Sequence, residues 1–307
     1  MAAATAVSAN AADLNGLKIY INPGHGGYDS NDRNVAIPPF ASHDENGFWE
    51  SKSNLVKGLA LRDMLESYGT HVDMSRTTNT TADDRNLEEI GEEANKCQAD
   101  FFFSIHSNAT GTSSRVNQPL MLYRGYTDDP VSPEAKEMSG VLNKWLLENQ
   151  IASWSNKNPR LAGDFDFYPD WNNAGLGVLR KLTVPGMLSE GSHHDYIPET
   201  YRLMSNDYCW LEAYHFVQAI MEYFGASEKF TTGVIGGSLM DSRLIRTDPI
   251  YGTTFYEHDQ ALPIMNATVS LVNDKGETIE TYTTQDLPNG VYMFKSVAPG
   301  NYKVKFT

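Results

Sequence analysis

Only two cysteines, Cys97 and Cys209, occur in the 307 residues, so no disulfide framework organises the chain and the pair reads as reduced. Long apolar runs are also missing. No stretch approaches the ~20 consecutive apolar residues of a membrane helix, so no membrane span is expected. Basic residues are scarce, with 24 Lys and Arg against 39 Asp and Glu and a net charge of −15. The acidity is concentrated before residue 226, a balance that disfavours nucleic acid and anionic lipid and suits neutral or mixed-charge substrates. What the chain does have is enough length for two domains of about 100–200 residues each, held by a conventional apolar core.

The opening MAAATAVSANAADLNG is alanine-rich and uncharged before Asp13. Its Ala9-Asn10-Ala11 has the small-x-small form of a signal-peptidase site. Residues 1–16 read either as the tail of an export signal or as a flexible terminus, with export the preferred reading.

From Leu17 onward, short apolar runs alternate with segments of helical period, which predicts an α/β domain with a mostly parallel sheet flanked by helices over residues 17–225. Strands are expected at Lys18–Asn22, Thr70–Ser75, Phe101–Ile105, Leu120–Tyr123, Val178–Leu182 and Val184–Ser189. Helices are expected at Glu50–Tyr68 and Glu134–Asn149, with one closing helix from Glu199 to Phe224. Another helix, capped by Asp83 or Asp84, carries an apolar stripe of Leu87, Ile90, Ala94 and Cys97. Ile151–Asn173 has no clear period and reads as a long structured loop with Trp154, Tyr168 and Trp171, either a wall of a binding groove or local packing.

Residues 226–307 change character. Alternating runs at Thr268–Val272, Thr278–Thr283, Val291–Phe294 and Tyr302–Phe306 are separated by Gly-, Pro- and Asn-rich turns, which predicts a small all-β sandwich. It contains no cluster suited to catalysis.

Three apolar strands of the first domain each run into a residue capable of metal or proton chemistry: His25 after Asn22-Pro23-Gly24, His106 after Phe101–Ile105, and Glu190 after Val184–Ser189. The carboxyl ends of parallel strands share one sheet edge, so residues distant in sequence can meet there. Glu50 opens a helix, where the dipole favours a carboxylate. Two histidines and one glutamate make a donor set used by catalytic zinc, which keeps a further position open for water. Taken singly, each residue has a plainer role as a hydrogen-bonded loop histidine, a helix-start acid or a surface carboxylate; jointly these need separate accidents.

At these residues the sequence resembles the zinc-dependent N-acetylmuramoyl-L-alanine amidases of the bacterial amidase-3 family. Four segments carry the likeness: Asn22-Pro23-Gly24-His25-Gly26-Gly27; Glu50 with Asn54, running on to Ser75-Arg76; Ala94-Asn95 through Ser104-Ile105-His106-Ser107-Asn108; and Val184-Pro185 through Leu188-Ser189-Glu190. The resemblance implies one zinc ion held by His25, Glu50 and His106, with Glu190 as the catalytic glutamate. It implies hydrolysis of the amide between N-acetylmuramic acid and L-alanine in peptidoglycan or muropeptides, by an enzyme exported to the periplasm or surface of a bacterium; a protein activator is left unspecified.

After Glu190 the chain departs from the family pattern with Ser192-His193-His194-Asp195; these histidines either line the cleft, bind substrate or sit on a polar loop, the last being the preferred reading. Asp29, Asp32, His43, Asp44 and Glu45, in the long loop before Glu50, compete with it for the metal; Glu50 ranks first through its helix position and Asn54. Residues 226–307 resemble carboxypeptidase regulatory-like modules, which implies a spacer or adhesive role. Two other readings of the whole stay open: a related zinc peptidase or deacetylase, since metal chemistry does not select a substrate, and an inactive amidase-like protein that binds cell wall.

Overall fold

The structure is a computed structural model that describes residues 14–111, 115–226, 230–246 and 256–307. Of the segment expected as a leader remnant or flexible terminus, residues 1–16, the first thirteen lie outside the described residues. In chain order the elements are β1 (Lys18–Pro23), β2 (Asn34–Val35), β3 (Phe48–Trp49), α1 (Glu50–Ser67), β4 (His71–Met74), α2 (Leu87–Lys96), β5 (Phe101–Asn108), β6 (Leu120–Tyr123) and α3 (Pro133–Leu147). There follow β7 (Leu161–Gly163), α4 (Asp164–Phe167), α5 (Gly177–Arg180), β8 (Gly186–His193), α6 (Ile197–Leu203) and α7 (Asn206–Tyr223). The remainder is all β: β9 (Gly233–Ser238), β10 (Met240–Ile245), β11 (Ala261–Pro263), β12 (Thr268–Val272), β13 (Thr278–Thr283), β14 (Val291–Val297) and β15 (Lys303–Phe306).

A six-stranded sheet, in the order β4-β1-β5-β8-β6-β7, forms the first layer. β4, β1, β5 and β8 run parallel, and β6 is antiparallel to β8. Period-two alternation sorts the side chains of the central strands between two apolar layers. Ile19, Ile21, Phe101, Phe103 and Ile105 pack with Leu61 and Leu65 of α1, Met138 and Leu142 of α3, and Phe216 and Ile220 of α7. Tyr20, Phe102 and Leu188 face the other way, onto Ile90 and Ala94 of α2 and onto Val178 and Leu179 of α5. Both faces are covered, so these strands read as nearly continuous apolar runs.

Four local expectations are corrected. The segment expected as a strand from Val178 is α5, a single helical turn laid on α2; a short apolar run does not distinguish the two forms. The closing helix is two helices broken at Met204-Ser205, because the Ser205 side chain accepts the Tyr208 amide and starts a new N-terminus. The cap of α2 is Asn86, whose side chain accepts from the amides of Glu88 and Glu89, while Asp83 caps a short 3₁₀ turn reciprocally with Thr80. Leu87 does not join the buried stripe; it is exposed.

The C-terminal strands form a three-stranded sheet β13-β12-β15 and two-stranded sheets β14-β9 and β10-β11. Their core is Val269, Leu271, Phe294 and Val297. This region is joined to the α/β layer: Val291 and Met293 of β14 pack with Trp154, Tyr201, Tyr208 and Leu211 in one apolar cluster. Asp207 of α7 accepts hydrogen bonds from Tyr282 Oη at 2.6 Å and Lys295 Nζ at 2.7 Å.

Candidate metal centre

The carboxyl ends of β1, β5 and β8 lie side by side because the strands are parallel and in register, with Pro23 opposite Ile105 and His106 opposite Glu190. His25 follows β1 by two residues. It adopts a left-handed backbone with φ of 64°, a conformation held from several directions. The Gly24 amide donates to the Ile105 carbonyl at 3.0 Å, and the Gly26 amide donates to the buried Asp32 carboxylate at 2.9 Å. Gly24 has to be glycine: a Cβ there would lie 2.0 Å from His106 Cε1.

Arg76, just after β4, closes the turn from behind. Its guanidinium donates to the carbonyls of Pro23 (2.8 Å), Gly24 (2.9 Å), Ser51 (2.6 Å) and Thr78 (2.9 Å) and to Asn79 Oδ1 (3.1 Å). Burial lowers its pKa to about 10, still far above neutrality. One cation thus satisfies carbonyls from the β1 turn, the start of α1 and the segment after β4.

Glu50 is the first residue of α1 and is 2% exposed. Its Oε2 lies 3.2 Å from His25 Nε2 and its Oε1 lies 3.1 Å from His106 Nδ1. Oε1 also accepts the Ser107 amide at 2.9 Å and Asn54 Nδ2 at 3.2 Å. One donor atom from each of His25, Glu50 and His106 lies within 4.8 Å of the others, and no second such group of His, Cys, Asp or Glu occurs among the described residues. Of the competing loop residues, Asp32 is committed to the amides of Gly26 and Asp29. His43, Asp44 and Glu45 stay outside the cluster.

The electrostatics of this group follow from the buried carboxylate. Burial works against the charge on Glu50, but His25 and the hydrogen bonds from both histidines hold its pKa well below the usual range. For His25, burial likewise opposes protonation, and the Glu50 charge outweighs it and raises the pKa. For His106, burial outweighs the Glu50 contribution and lowers the pKa. Glu190 is pushed up to about 8, first by burial and then by the Glu50 charge.

These four residues share a cavity of about 540 Å³. Arg33, Asp83 and Arg85 line it together with Ile90, Leu176 and Val178. The expectation that His193 and His194 sit on a polar loop is wrong. Both are buried, at 2% and 5% exposure, because β8 runs on through residue 193 and delivers them under the loop after β5. His194 lines the cavity, stacks on Phe48 and lies 3.8 Å from Glu50 Oε2, while its Nδ1 donates to the Ser107 carbonyl at 2.8 Å. The residues around them, Ser189-Glu190-Gly191-Ser192 and Asp195, are polar or small, so no apolar pattern marked this stretch as buried.

Of the aromatic loop, Trp154 belongs to the core. Tyr168 and Trp171 stack at 4.1 Å with Trp171 exposed.

Comparison with known proteins bears on this centre. A family model described as N-acetylmuramoyl-L-alanine amidase matches residues 19–222, and one described as SdrD B-like domain matches residues 256–307. The chain is 26% identical over 192 residues to the N-acetylmuramoyl-L-alanine amidase CwlM of Bacillus licheniformis, an alignment covering 62% of this chain and 62% of that protein. It is 24% identical over 220 residues to the sporulation-specific N-acetylmuramoyl-L-alanine amidase of Bacillus subtilis (strain 168), covering 71% of this chain and 72% of that one. The chain therefore spans less than two thirds of the first of these relatives.

Among solved structures, an N-acetylmuramoyl-L-alanine amidase from Clostridium difficile 630 superposes with a TM-score of 0.54 at 21% identity, covering 69% of this chain and 98% of that one. AmiC2 of Nostoc punctiforme gives 0.52 at 23%, covering 68% and 97%. At that identity the likeness concerns the fold.

Proposed function

The chain belongs to the N-acetylmuramoyl-L-alanine amidase family, and from that premise we propose that it is a zinc-dependent hydrolase of the amide between N-acetylmuramic acid and L-alanine in peptidoglycan. The observation that carries the reading is the Glu50 carboxylate shared between His25 and His106, with Glu190 alongside on β8, in one cavity. His25, Glu50 and His106 are the proposed ligands and Glu190 the proposed catalytic residue.

The donor set fits a zinc ion. Two imidazoles and one carboxylate match the ligands of catalytic zinc, and the cavity leaves one side for water and substrate. The Glu50 charge raises the His25 pKa, so this carboxylate favours a cation beside the ring, a place that a dication can take. Zinc held there supplies a Lewis acid that polarises a carbonyl and brings the pKa of water towards neutrality.

The chain's own groups do the rest. Ser107 and Asn54 fix the Glu50 carboxylate by donating to Oε1. Glu190, raised into the neutral range, takes a proton from the attacking water and delivers it to the departing nitrogen. One water is consumed, the amide C–N bond breaks, and the products are a lactyl carboxylate on the glycan and a free L-alanine amine on the stem peptide. Cell-wall substrate implies export to the periplasm or bacterial surface, with residues 226–307 as an accessory region.

The test is digestion of purified peptidoglycan with and without a chelator, followed by mass spectrometry. Intact stem peptides bearing a free L-alanine amine, lost on chelation and restored by zinc, are expected. Products cut within the peptide, or deacetylated sugars, would replace this reading with the peptidase or deacetylase alternative.

A further inference from the structure

A fully buried ion pair lies in the same region as the proposed centre and takes no part in the chemistry just described. Lys57 is 0% exposed, and its Nζ lies 2.9 Å from Glu212 Oε2, whose side chain is 4% exposed. Lys57 comes from α1 and Glu212 from α7, helices packed on one another beneath the sheet. Positions 50, 54 and 57 fall on one face of α1, at spacings of four and three. That face therefore carries Glu50, then Asn54 bonded to Glu50, then Lys57.

The pair also meets Glu190 through the backbone. A Cβ on Gly191 would come within 2.1 Å of Glu212 Oε1, so the Glu212 carboxylate occupies the side-chain space of the residue immediately after Glu190. Glu190 Oε2 and Glu212 Oε1 are both buried and accept no hydrogen bond among the described residues. Lys57 acts on Glu190 through its charge, as Arg33 does, and its ion pair is with Glu212. Burial would strip Lys57 of its proton, but Glu212 outweighs it and raises the Lys57 pKa, which keeps the ammonium charged.

Stability does not account for such a pair. Taking two charges out of water is costly, and apolar replacements of similar volume are commonly neutral or stabilising. We propose that Lys57 and Glu212 are a positioning pair for Glu190: the Lys57 ammonium fixes the Glu212 carboxylate, and Glu212 wedges the Gly191 backbone, which sets where the preceding residue, Glu190, stands on β8. This rests on the reading of Glu190 as the proton-transfer group. Neither residue touches substrate.

The double variant Lys57→Met/Glu212→Leu removes both charges and keeps the volume. In the full chain loaded with zinc, it is expected to hold one zinc and to melt at or above the parent temperature. On a soluble muropeptide its kcat should fall at least tenfold with KM within twofold. A pair that merely supports the fold would leave kcat unchanged, and that result overturns the proposal; so does a loss of activity that only tracks lost zinc. If the double variant does not fold, Glu212→Gln decides, since it keeps the shape: a lower kcat at full zinc content supports the proposal, and an unchanged kcat overturns it. An inactive parent would instead defeat the amidase reading, so the two failures are distinguishable.

Discussion

Arg202 of α6 donates to both carboxylate oxygens of Asp259 in the C-terminal region, at 2.7 and 3.0 Å, with the arginine side chain 1% and the aspartate 0% exposed. The same guanidinium bonds Glu199 at 2.8 Å, and Tyr196 Oη donates to Asp259 at 3.0 Å. α6 begins four residues after β8 ends, so this network ties the C-terminal region to the segment that leaves the proposed site.

Removing Asp259 should therefore be felt well beyond its own turn. Breaking one side of a buried ion pair typically costs about 3–5 kcal/mol. Asp259→Ala is expected to lower the melting temperature by several degrees, read by calorimetry on the full chain. A melt within one degree of the parent would mean that the interface carries little of the stability.

Glu190 and His106 should separate by zinc content. Glu190→Ala is expected to keep its zinc and lose activity by about 10²–10⁴-fold, the range for removal of a general acid–base group. His106→Ala is expected to lose both. Metal analysis beside turnover on muropeptides checks this, and a fully active Glu190→Ala protein would remove Glu190 from the reaction.

Arg76 offers a probe of the turn that presents His25. Lysine keeps the charge but lacks the planar fork that reaches several carbonyls at once. Arg76→Lys is expected to weaken zinc affinity by about 10–100-fold, the usual effect of losing a group that orients a ligand. Competition with a chromophoric chelator measures it; unchanged affinity would show that the glycines alone fix the turn.

His215, on α7, is buried with Nε2 unpartnered, and burial lowers its pKa to about 4. The unfolded chain, with a histidine near 6.5, binds the proton more readily. The neutral ring's contribution is thus fully present above about pH 6.5 and is lost as pH falls towards 4, by roughly 3 kcal/mol at the limit. His215→Leu should flatten the stability profile across that window, as seen in denaturant titrations at pH 7 and pH 5. Parallel losses in parent and variant would assign the acid sensitivity elsewhere.

The strands leading to His25, His106 and Glu190 were readable from local order, because a strand buried on both faces leaves a continuous apolar run and parallel strands end on one edge. Glu50 was readable from the helix period that follows it. The sequence could not show that the Glu50 oxygens divide between the two histidines, since that depends on how α1 enters against β1 and β5.

Where local patterns are ambiguous, the chain alone misleads. The apolar period runs through Met204-Ser205 although Ser205 restarts the helix, and Val178 opens a run too short to tell a strand from a helical turn. The partners of His193 and His194 come from β5 and the segment after it, some eighty residues earlier.

Composition, periodicity and strand-end chemistry thus determined the α/β layer, the all-β remainder and the residues to watch. Only the tertiary structure decided the rest: that Lys57 meets Glu212, that Arg202 meets Asp259, and that Arg76 gathers four carbonyls. Such pairings join side chains far apart in sequence, and no local period encodes them because they depend on helix crossing and sheet register.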